Sequence, residues 1–564
     1  MNDQEVLLAR FIHSATATGL NVSHWPEIWR NNGLQDTTQM GQTALRYSLA
    51  YLGYATAALA YARTPAYLGH AAAVLKSIFD RLVQPVVWRY WGTSGTCGLP
   101  WTPWCDLVNT SMAQLQANHF PWQPSAPLDD PVGSGNIMYS AHVASIGLLY
   151  ETFSGDDSLS TKGWFFGSHF YTLDSLVDSI QRSALAGANV GFGVTCEPGS
   201  IFPACQNHMH AALRLHTALR RRRSHSTIPH SRPSPVPVND VAHSTSSRIK
   251  NGWVDFAYTR GGVMWDRPDG LFHNHGLFKM IRLKNGQPTA ERAINITGCA
   301  VLDAWTLSYL RTFMGDEAEG VLMRGAKVLT QNPDWKMLTD AGAMLDSKCL
   351  LQHDYPPVLG TSFFPVVIAQ LPLTINTSWI SEARDKARQA NKFMESIARY
   401  VDVDGDGTPD QLFYNASDGM ALQVTANRLL AMALNGSDEG MVLSALYDGR
   451  PLHDEPYLEK VVNAGPSGTV DVREARYSAA RQTLELLLST QLATTGINVQ
   501  LLVQLPSPGW ARKWKVMNVS FVGGPDGNWS MLETKRGEAP KLMVRVAVGT
   551  SMQIIVQLEE HIGS

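Results

Sequence analysis

Net charge is what this chain most plainly lacks: 46 lysines and arginines face 49 aspartates and glutamates, leaving −3 at pH 7. So balanced a chain exerts no long-range pull on nucleic acid or an anionic membrane, and neither is expected as a partner. Cysteine is scarce. Six cysteines, at 97, 105, 196, 205, 299 and 349, are too few for a disulfide framework in 564 residues. None of them falls into the Cys-x2-Cys spacing of a zinc site, and neither a metal nor a cofactor is expected. No uninterrupted apolar run approaches the roughly 18 residues that would cross a bilayer. The start, Met1-Asn-Asp-Gln-Glu-Val-Leu-Leu-Ala-Arg10, has no basic stretch followed by an apolar one, so no secretory leader is read. These absences lead to the expectation of a cytoplasmic protein with reduced thiols.

Aromatic side chains, by contrast, are abundant. With 16 tryptophans and 17 tyrosines, the sequence points to an aromatic-lined interior. Its length exceeds what one core holds, so two or more domains are expected. From about 40 to 440 the apolar residues recur at helical spacing, with helices predicted over 44–62, 138–152, 207–219, 297–312, 316–329, 381–400 and 417–434. Tyr47, Tyr51, Tyr54 and Tyr61 share related faces of the first. Gly/Pro/Asp-rich connections such as Gly92–Pro103 and Pro121–Gly135 separate the helices, a pattern that fits a toroid of helix pairs. After about 450 the period changes to two. Alternating segments near 469–476, 483–488, 499–505, 516–522, 542–548 and 552–558 predict a small antiparallel sandwich without catalytic residues. The expected division is a catalytic helical domain over 1–445 and a β-sandwich-like accessory domain over 446–564. Within the first, residues 220–250 open on Arg220-Arg-Arg-Arg223 and become rich in Ser, Pro and His. With few large apolar residues, they are expected to form a disordered basic insertion.

Three short motifs carry chemistry. Cys196-Glu-Pro-Gly-Ser-Ile-Phe-Pro-Ala-Cys205 sets two thiols nine residues apart; Asn136-Ile-Met-Tyr-Ser-Ala-His142 brings an imidazole; Arg46-Tyr47-Ser48 brings a phenol. Thiol, imidazole and phenol all transfer protons, and Cys and His titrate within reach of neutral pH. Eliminating water from an alcohol needs an acid for the leaving hydroxyl and a base for a neighbouring proton. Allylic isomerisation needs water removed at one carbon and delivered to another. An apolar, aromatic cavity suits either reaction, because it keeps stray water from quenching cationic character. The plainer alternatives are that the cysteine pair is ordinary core, that His142 is a satisfied core histidine, and that Tyr47 is packing.

Together and in this order, the three motifs resemble those of the linalool dehydratase/isomerase family, over roughly residues 25–220 and more loosely to about 440. The resemblance implies an (α/α)6 barrel and a cofactor-free lyase or isomerase acting on a small, apolar, isoprenoid-type alcohol or alkene by dehydration, isomerisation or cyclisation. It implies that His142 donates a proton to a hydroxyl or water. Cys196 and Cys205 would be the acid/base pair, or one of them a nucleophile. Tyr47 would hydrogen-bond the substrate hydroxyl, with Tyr51 beside it. Met138 and Phe202 would line the cavity, and Glu197 would orient a neighbour rather than react. The family's N-terminal Asp and Tyr find no counterpart in Leu20-Asn-Val-Ser-His-Trp-Pro-Glu-Ile28, and its structural disulfide finds no matched pair. Relatives that assemble as rings leave a homo-oligomer open.

Two further features compete. Asp402-Val-Asp-Gly-Asp-Gly-Thr-Pro-Asp410 has calcium-like alternation of carboxylates, but Phe413 stands where an EF-hand loop would end in Glu, so an acidic turn between two helices is expected. The phrase is also similar to loops of (α/α)6 glycosidases. The alternative function is therefore a glycoside hydrolase or carbohydrate-binding barrel, with Asp404, Asp406 or Glu197 supplying carboxylates. Phe272-His-Asn-His275 brings two imidazoles without further ligands nearby and reads as a polar loop.

Overall fold

The computed structural model describes residues 1–17, 19–20, 45–88, 130–132, 137–186, 194, 200–201, 203–226, 238–255, 258, 279–284, 287–288, 294–295, 300–345, 357–375, 377–402, 411–414, 421–435, 441–449, 452, 455–463, 470–490, 497–505, 512–523, 527–532, 541–548 and 551–562. The chain is mostly helical with an antiparallel β region at its C-terminal end.

Among the described residues, twelve helices have nine residues or more: α1 (Asp3–Ala17), α2 (Leu45–Arg63), α3 (Leu68–Leu82), α4 (Ile137–Ser154), α5 (Leu173–Ala186), α6 (Pro203–Ser226), α7 (Val238–Val254), α8 (Ala300–Ser308), α9 (Glu319–Thr330), α10 (Pro357–Ala369), α11 (Ser378–Ser396) and α12 (Ala421–Leu434). They alternate strictly in role. The even-numbered ones pack in a closed cycle, α2 on α4, α4 on α6, α6 on α8, α8 on α10, α10 on α12, and α12 back on α2. The odd-numbered ones pack against members of this cycle: α3 on α2 and α4, α5 and α7 on α6, α9 on α8, α11 on α10, and α1 on α12 and α3.

Sequence explains the two roles. A helix enclosed on all sides must be apolar or small all round. Ile137 through Phe153 of α4 are all buried, and so is nearly all of α2, whose alanines and serine let neighbours come close. The buried Glu151 of α4 is satisfied locally, accepting from the Ser160 amide at 2.8 Å and its hydroxyl at 2.9 Å. Padding helices show one apolar stripe, as α3 does with Leu68, Ala71, Val74, Leu75, Ile78, Phe79 and Leu82. Two starts are reciprocally capped. Asn2 Oδ1 accepts from the Glu5 amide while Glu5 Oε2 accepts from the Asn2 amide, and Thr172 and Ser175 repeat the exchange before α5.

Residues 220–250 correct an expectation. Arg220–Ser226 continue α6 and Val238–Lys250 belong to α7, while 227–237 lie outside the described residues. Partners supply the ordering that composition did not promise. Arg220 Nε meets Asp174 Oδ1 at 3.0 Å, Ser246 Oγ accepts from Gln181 at 3.0 Å, and Ile249 and Trp253 are buried. The Asp402–Asp410 phrase is likewise flanked not by two helices but by a hairpin, Ala398–Val401 paired antiparallel with Gln411–Tyr414; residues 403–410 and 272–275 lie outside the described residues.

The C-terminal strands are β1 (Tyr457–Asn463), β2 (Val470–Ser478), β3 (Thr483–Thr490), β4 (Ile497–Gln504), β5 (Arg512–Val522), β6 (Asn528–Leu532), β7 (Lys541–Val548) and β8 (Ser551–Ile562). They form two antiparallel sheets, β1-β4-β7-β6 and β2-β3-β8-β5. Inward residues of both, among them Leu484, Leu486, Leu501, Val503, Leu542, Val544, Ile554 and Val556, share one apolar core. That core also includes Ala66, from the turn between α2 and α3. The turn is bonded to both sheets: Ala66 N donates to Ala475 O at 3.0 Å and Leu458 N to Ala66 O at 2.6 Å. Arg10 adds a two-point contact with Asp471, at 3.0 and 2.9 Å. The sandwich thus grips the far end of α2.

Candidate active site

The other end of α2 carries three tyrosines. Tyr47, Tyr51 and Tyr54 follow one another at four- and three-residue spacing, so they stack along one helix face. All three are buried. Met138 and His142 stand one turn apart on α4, and Cys205 and His208 one turn apart at the start of α6. Tyr309 follows α8, which holds Trp305, and Phe363 belongs to α10.

These groups form one continuous cluster. The Tyr54 hydroxyl hydrogen-bonds His142 Nδ1 at 2.7 Å, and that of Tyr51 bonds His208 Nε2 at 3.2 Å. The two imidazoles lie 4.6 Å apart, centre to centre. Tyr54 stacks on His208 at 5.3 Å, and Tyr309 lies 4.6 Å from the same ring. Trp305 meets Tyr47 edge-on at 5.4 Å and stacks with Phe363. The Tyr47 hydroxyl points at Met138 Sδ, and the buried Arg46 guanidinium covers the Tyr47 ring at 4.5 Å. Cys205 is a free, buried thiol within electrostatic range of Tyr51.

Burial sets the protonation states. It pushes His208 down to about 3. His142 is held well below the ordinary imidazole range by burial first, then by repulsion from His208 and Arg46. Burial also raises Tyr51, Tyr54 and Tyr309 well above 10. Near neutral pH His142 and His208 are therefore neutral imidazoles, and Tyr51, Tyr54 and Tyr309 neutral phenols. The Tyr309 hydroxyl and the Trp305 indole N–H find no hydrogen-bond partner among the described residues, so two donors in this apolar space stay open for an oxygen.

Of the residues singled out in the sequence, Tyr47, Tyr51, Met138, His142 and Cys205 come together here. Cys196, Glu197 and Phe202 lie outside the described residues. Val194, two residues before Cys196, is clasped to α6: its amide donates to Gln206 Oε1 at 2.9 Å and its carbonyl accepts from Gln206 Nε2 at 2.8 Å. Tyr54, His208, Trp305, Tyr309 and Phe363 were not expected as site residues. Spacing alone signals two of them, since His208 follows Cys205 by three positions and Tyr54 follows Tyr47 by seven. Among the described residues no three His, Cys, Asp or Glu side chains converge as metal ligands.

The segment that builds most of this cluster, residues 46–230, matches the family model for linalool dehydratase/isomerase. Over that segment the chain is similar to the linalool dehydratase/isomerase family. Enzymes of this kind are lyases and isomerases. No curated protein matches the chain. No helix among the described residues is long and apolar enough to cross a membrane.

Proposed function

We propose that the protein is a cofactor-independent acid/base enzyme that dehydrates, isomerises or cyclises an isoprenoid alcohol or alkene. The observation that carries this reading is a buried cluster of Tyr47, Tyr51, Tyr54, Met138, His142, Cys205 and His208, all within the family-matched residues 46–230 and set against Trp305 and Phe363 from further along the chain. In the proposed reaction the substrate hydroxyl takes a proton from an acid of the cluster, and the C–O bond breaks to release water and leave an allylic cation. A base of the cluster then removes a proton from a neighbouring carbon to form the alkene. Return of water at the other allylic carbon gives the isomer, and attack by an internal hydroxyl gives a ring. Cys205, Cys196 and His142 are the proton-transfer groups of this proposal. Tyr47 and the open donors of Trp305 and Tyr309 hold oxygen, and the aromatic faces steady the cation. Dry surroundings favour charge carried by the protein's own groups over bulk water.

We further propose that the closed cycle of α2, α4, α6, α8, α10 and α12 is the inner wall of an (α/α)6 barrel, padded by the odd-numbered helices. The proposed setting is the cytoplasm, where Cys205 would stay reduced.

The test is anaerobic incubation with a panel of C10–C20 prenyl alcohols and prenylated phenols, with products read by mass. A product 18 mass units lighter, or an isomer of unchanged mass, that disappears with Cys196→Ser supports the reading. No turnover over the whole panel, with binding of glycans instead, refutes it.

A further inference from the structure

Between α1, α2, α3, α12 and the strands β1 and β2 lies a cavity of about 220 Å³. Its walls are mostly apolar: Val6, Ile12, Leu59, Val74, Leu429 and Val472, drawn from five of these elements, are all buried and all line it. No residue of the catalytic cluster does. Of α2, the cavity touches Thr56, Leu59 and Ala60, which follow Tyr54 toward the end gripped by the sandwich. It is a second space, and what it binds is independent of the reaction proposed above.

Several polar groups in its walls are already paired. Arg10 and Asp471 hold each other at two points, at 3.0 and 2.9 Å. The Thr56 hydroxyl donates to the Leu52 carbonyl at 2.8 Å, and the Met1 nitrogen donates to the Arg473 carbonyl at 2.6 Å. Two imidazoles are different. His13 of α1 and His70 of α3 lie 4.9 Å apart, ring to ring, and Tyr67 stacks on His70 at 5.7 Å. Neither imidazole makes a hydrogen bond among the described residues. Burial lowers His13, and burial together with repulsion from His13 brings His70 to about 4. Near neutral pH each ring therefore presents one N–H donor and one acceptor nitrogen. His13 is exposed and His70 only partly so, which gives an oxygen bound to His70 the drier setting.

An apolar cavity with a few convergent polar groups is the ordinary form of a small-molecule site. A cavity of about 150 Å³ holds benzene, so this one takes about nine non-hydrogen atoms. We propose that it is a second ligand site, for an uncharged, apolar molecule of about nine non-hydrogen atoms with one hydroxyl, which His70 binds. The mutual pairing of Arg10 and Asp471 leaves that ion pair with no call for a charged ligand, and the valines and leucines of the walls take the apolar body.

The experiment is isothermal titration of the full chain with 4-ethylphenol near neutral pH. Val470→Trp, at a partly buried wall position of β2, fills the cavity and should weaken binding about tenfold or more. His70→Leu should weaken it about fivefold, the worth of one hydrogen bond, and His70→Gln, which keeps a donor and an acceptor, by less than about twofold. 4-Methylbenzoate, of like size but charged, should bind about tenfold more weakly than the phenol. The site is located with diethyl pyrocarbonate, which modifies neutral imidazoles: saturating 4-ethylphenol should slow modification of His70 in the wild type, read by peptide mass. That last measurement needs no variant, so it decides even where a substitution prevents folding. The proposal is overturned by absence of binding at millimolar 4-ethylphenol, by equal affinity in wild type, Val470→Trp and His70→Leu, by tighter binding of the benzoate, or by unprotected His70. Protection of His142 and His208 in place of His70 would put the phenol in the catalytic cluster and overturn it too. Binding at His70 without turnover on the prenyl panel speaks against the proposed function alone.

Discussion

Acid should unfold this protein earlier than its carboxylates would dictate, because several histidines are buried neutral. His208 and His210 are each pushed by burial to about 3, and His142 is driven well below 6.5. In an unfolded chain each would titrate near 6.5. The folded values are depressed, so the unfolded state binds the extra protons. The stability linked to these groups is complete above pH 6.5 and falls as the pH drops from there toward 3. Two pH units below 6.5, His208 and His210 each cost about 3 kcal/mol, at roughly 1.4 kcal/mol per unit. His208 and His210 together then remove about 5–6 kcal/mol, comparable with the whole stability of an ordinary domain, about 5–15 kcal/mol, and His142 adds in the same direction. His70, held at about 4 by burial and by His13, adds a share of its own. Asp174, held low despite its burial by hydrogen bonds from His216 and Arg220, titrates below this window. The assay is urea denaturation followed by far-UV circular dichroism at half-unit steps from pH 7.5 to 4.5. Its slope against pH should correspond to uptake of at least about two protons on unfolding. His210 offers the internal control, since neither ring nitrogen has a hydrogen-bond partner among the described residues and Trp253 and Phe313 stack against it. His210→Leu should reduce the uptake by about one proton and recover about 3 kcal/mol at pH 4.5 relative to pH 7.5. A stability flat across this range, or a His210→Leu slope equal to that of wild type, would refute the reasoning.

Gly69, in the first turn of α3, has room for no side chain, because a Cβ there would lie 1.9 Å from the carbonyl oxygen of Glu459 in β1. Gly69→Ala should cost about 3 kcal/mol, the upper part of the overpacking range, since backbone must move on both sides; an unchanged denaturation midpoint would contradict this. Arg10→Met strands the buried carboxylate of Asp471. It should cost about 3 kcal/mol at pH 7.5 and less at pH 5, where protonation relieves the stranded group; equal losses at both pH values would count against the ion pair. If Cys205 moves protons as proposed, Cys205→Ser should lower turnover on a prenyl alcohol by roughly 100-fold or more while leaving the helical circular dichroism intact. Retained turnover would remove Cys205 from the mechanism.

Much of the helical layout was legible because enclosed helices write long apolar segments: the predictions at 44–62 and 138–152 fall on α2 and α4 within two residues. The padding helices α1, α3, α5 and α7 were not singled out. Their polar outer faces dilute the signal, and in α7 the apolar residues cluster late, at Ile249 and Trp253. α10 was also missed, carrying Pro365 within its span and being apolar throughout, which leaves no period to read. Alternation marked six strands, but not β1, whose pairing with β4 shifts register between Leu458 and Lys460, nor β6, whose residues are nearly all exposed. In the site, Cys205, His142 and Tyr47 were found through motifs. Phe363, Trp305 and Tyr309 come from helices with no motif at all, and only closure of the ring brings them beside Tyr51.

That closure has a cost in time. α2 is apolar around its whole circumference, yet one of the helices it packs on is α12, and its outer end is gripped by strands beginning at Tyr457. Arg63, its last residue, donates to the carbonyls of Met432 and Asn435. At about 5–20 residues per second, a ribosome that has finished α2 needs roughly 20–70 s more before α12 begins to exist. For that interval the tyrosine face of the site stands without its final walls on a nascent chain. Synthesis of this protein therefore places a demand on whatever shields apolar helices in the cell, and a substitution that leaves the finished fold untouched can still lower yield by lengthening that wait.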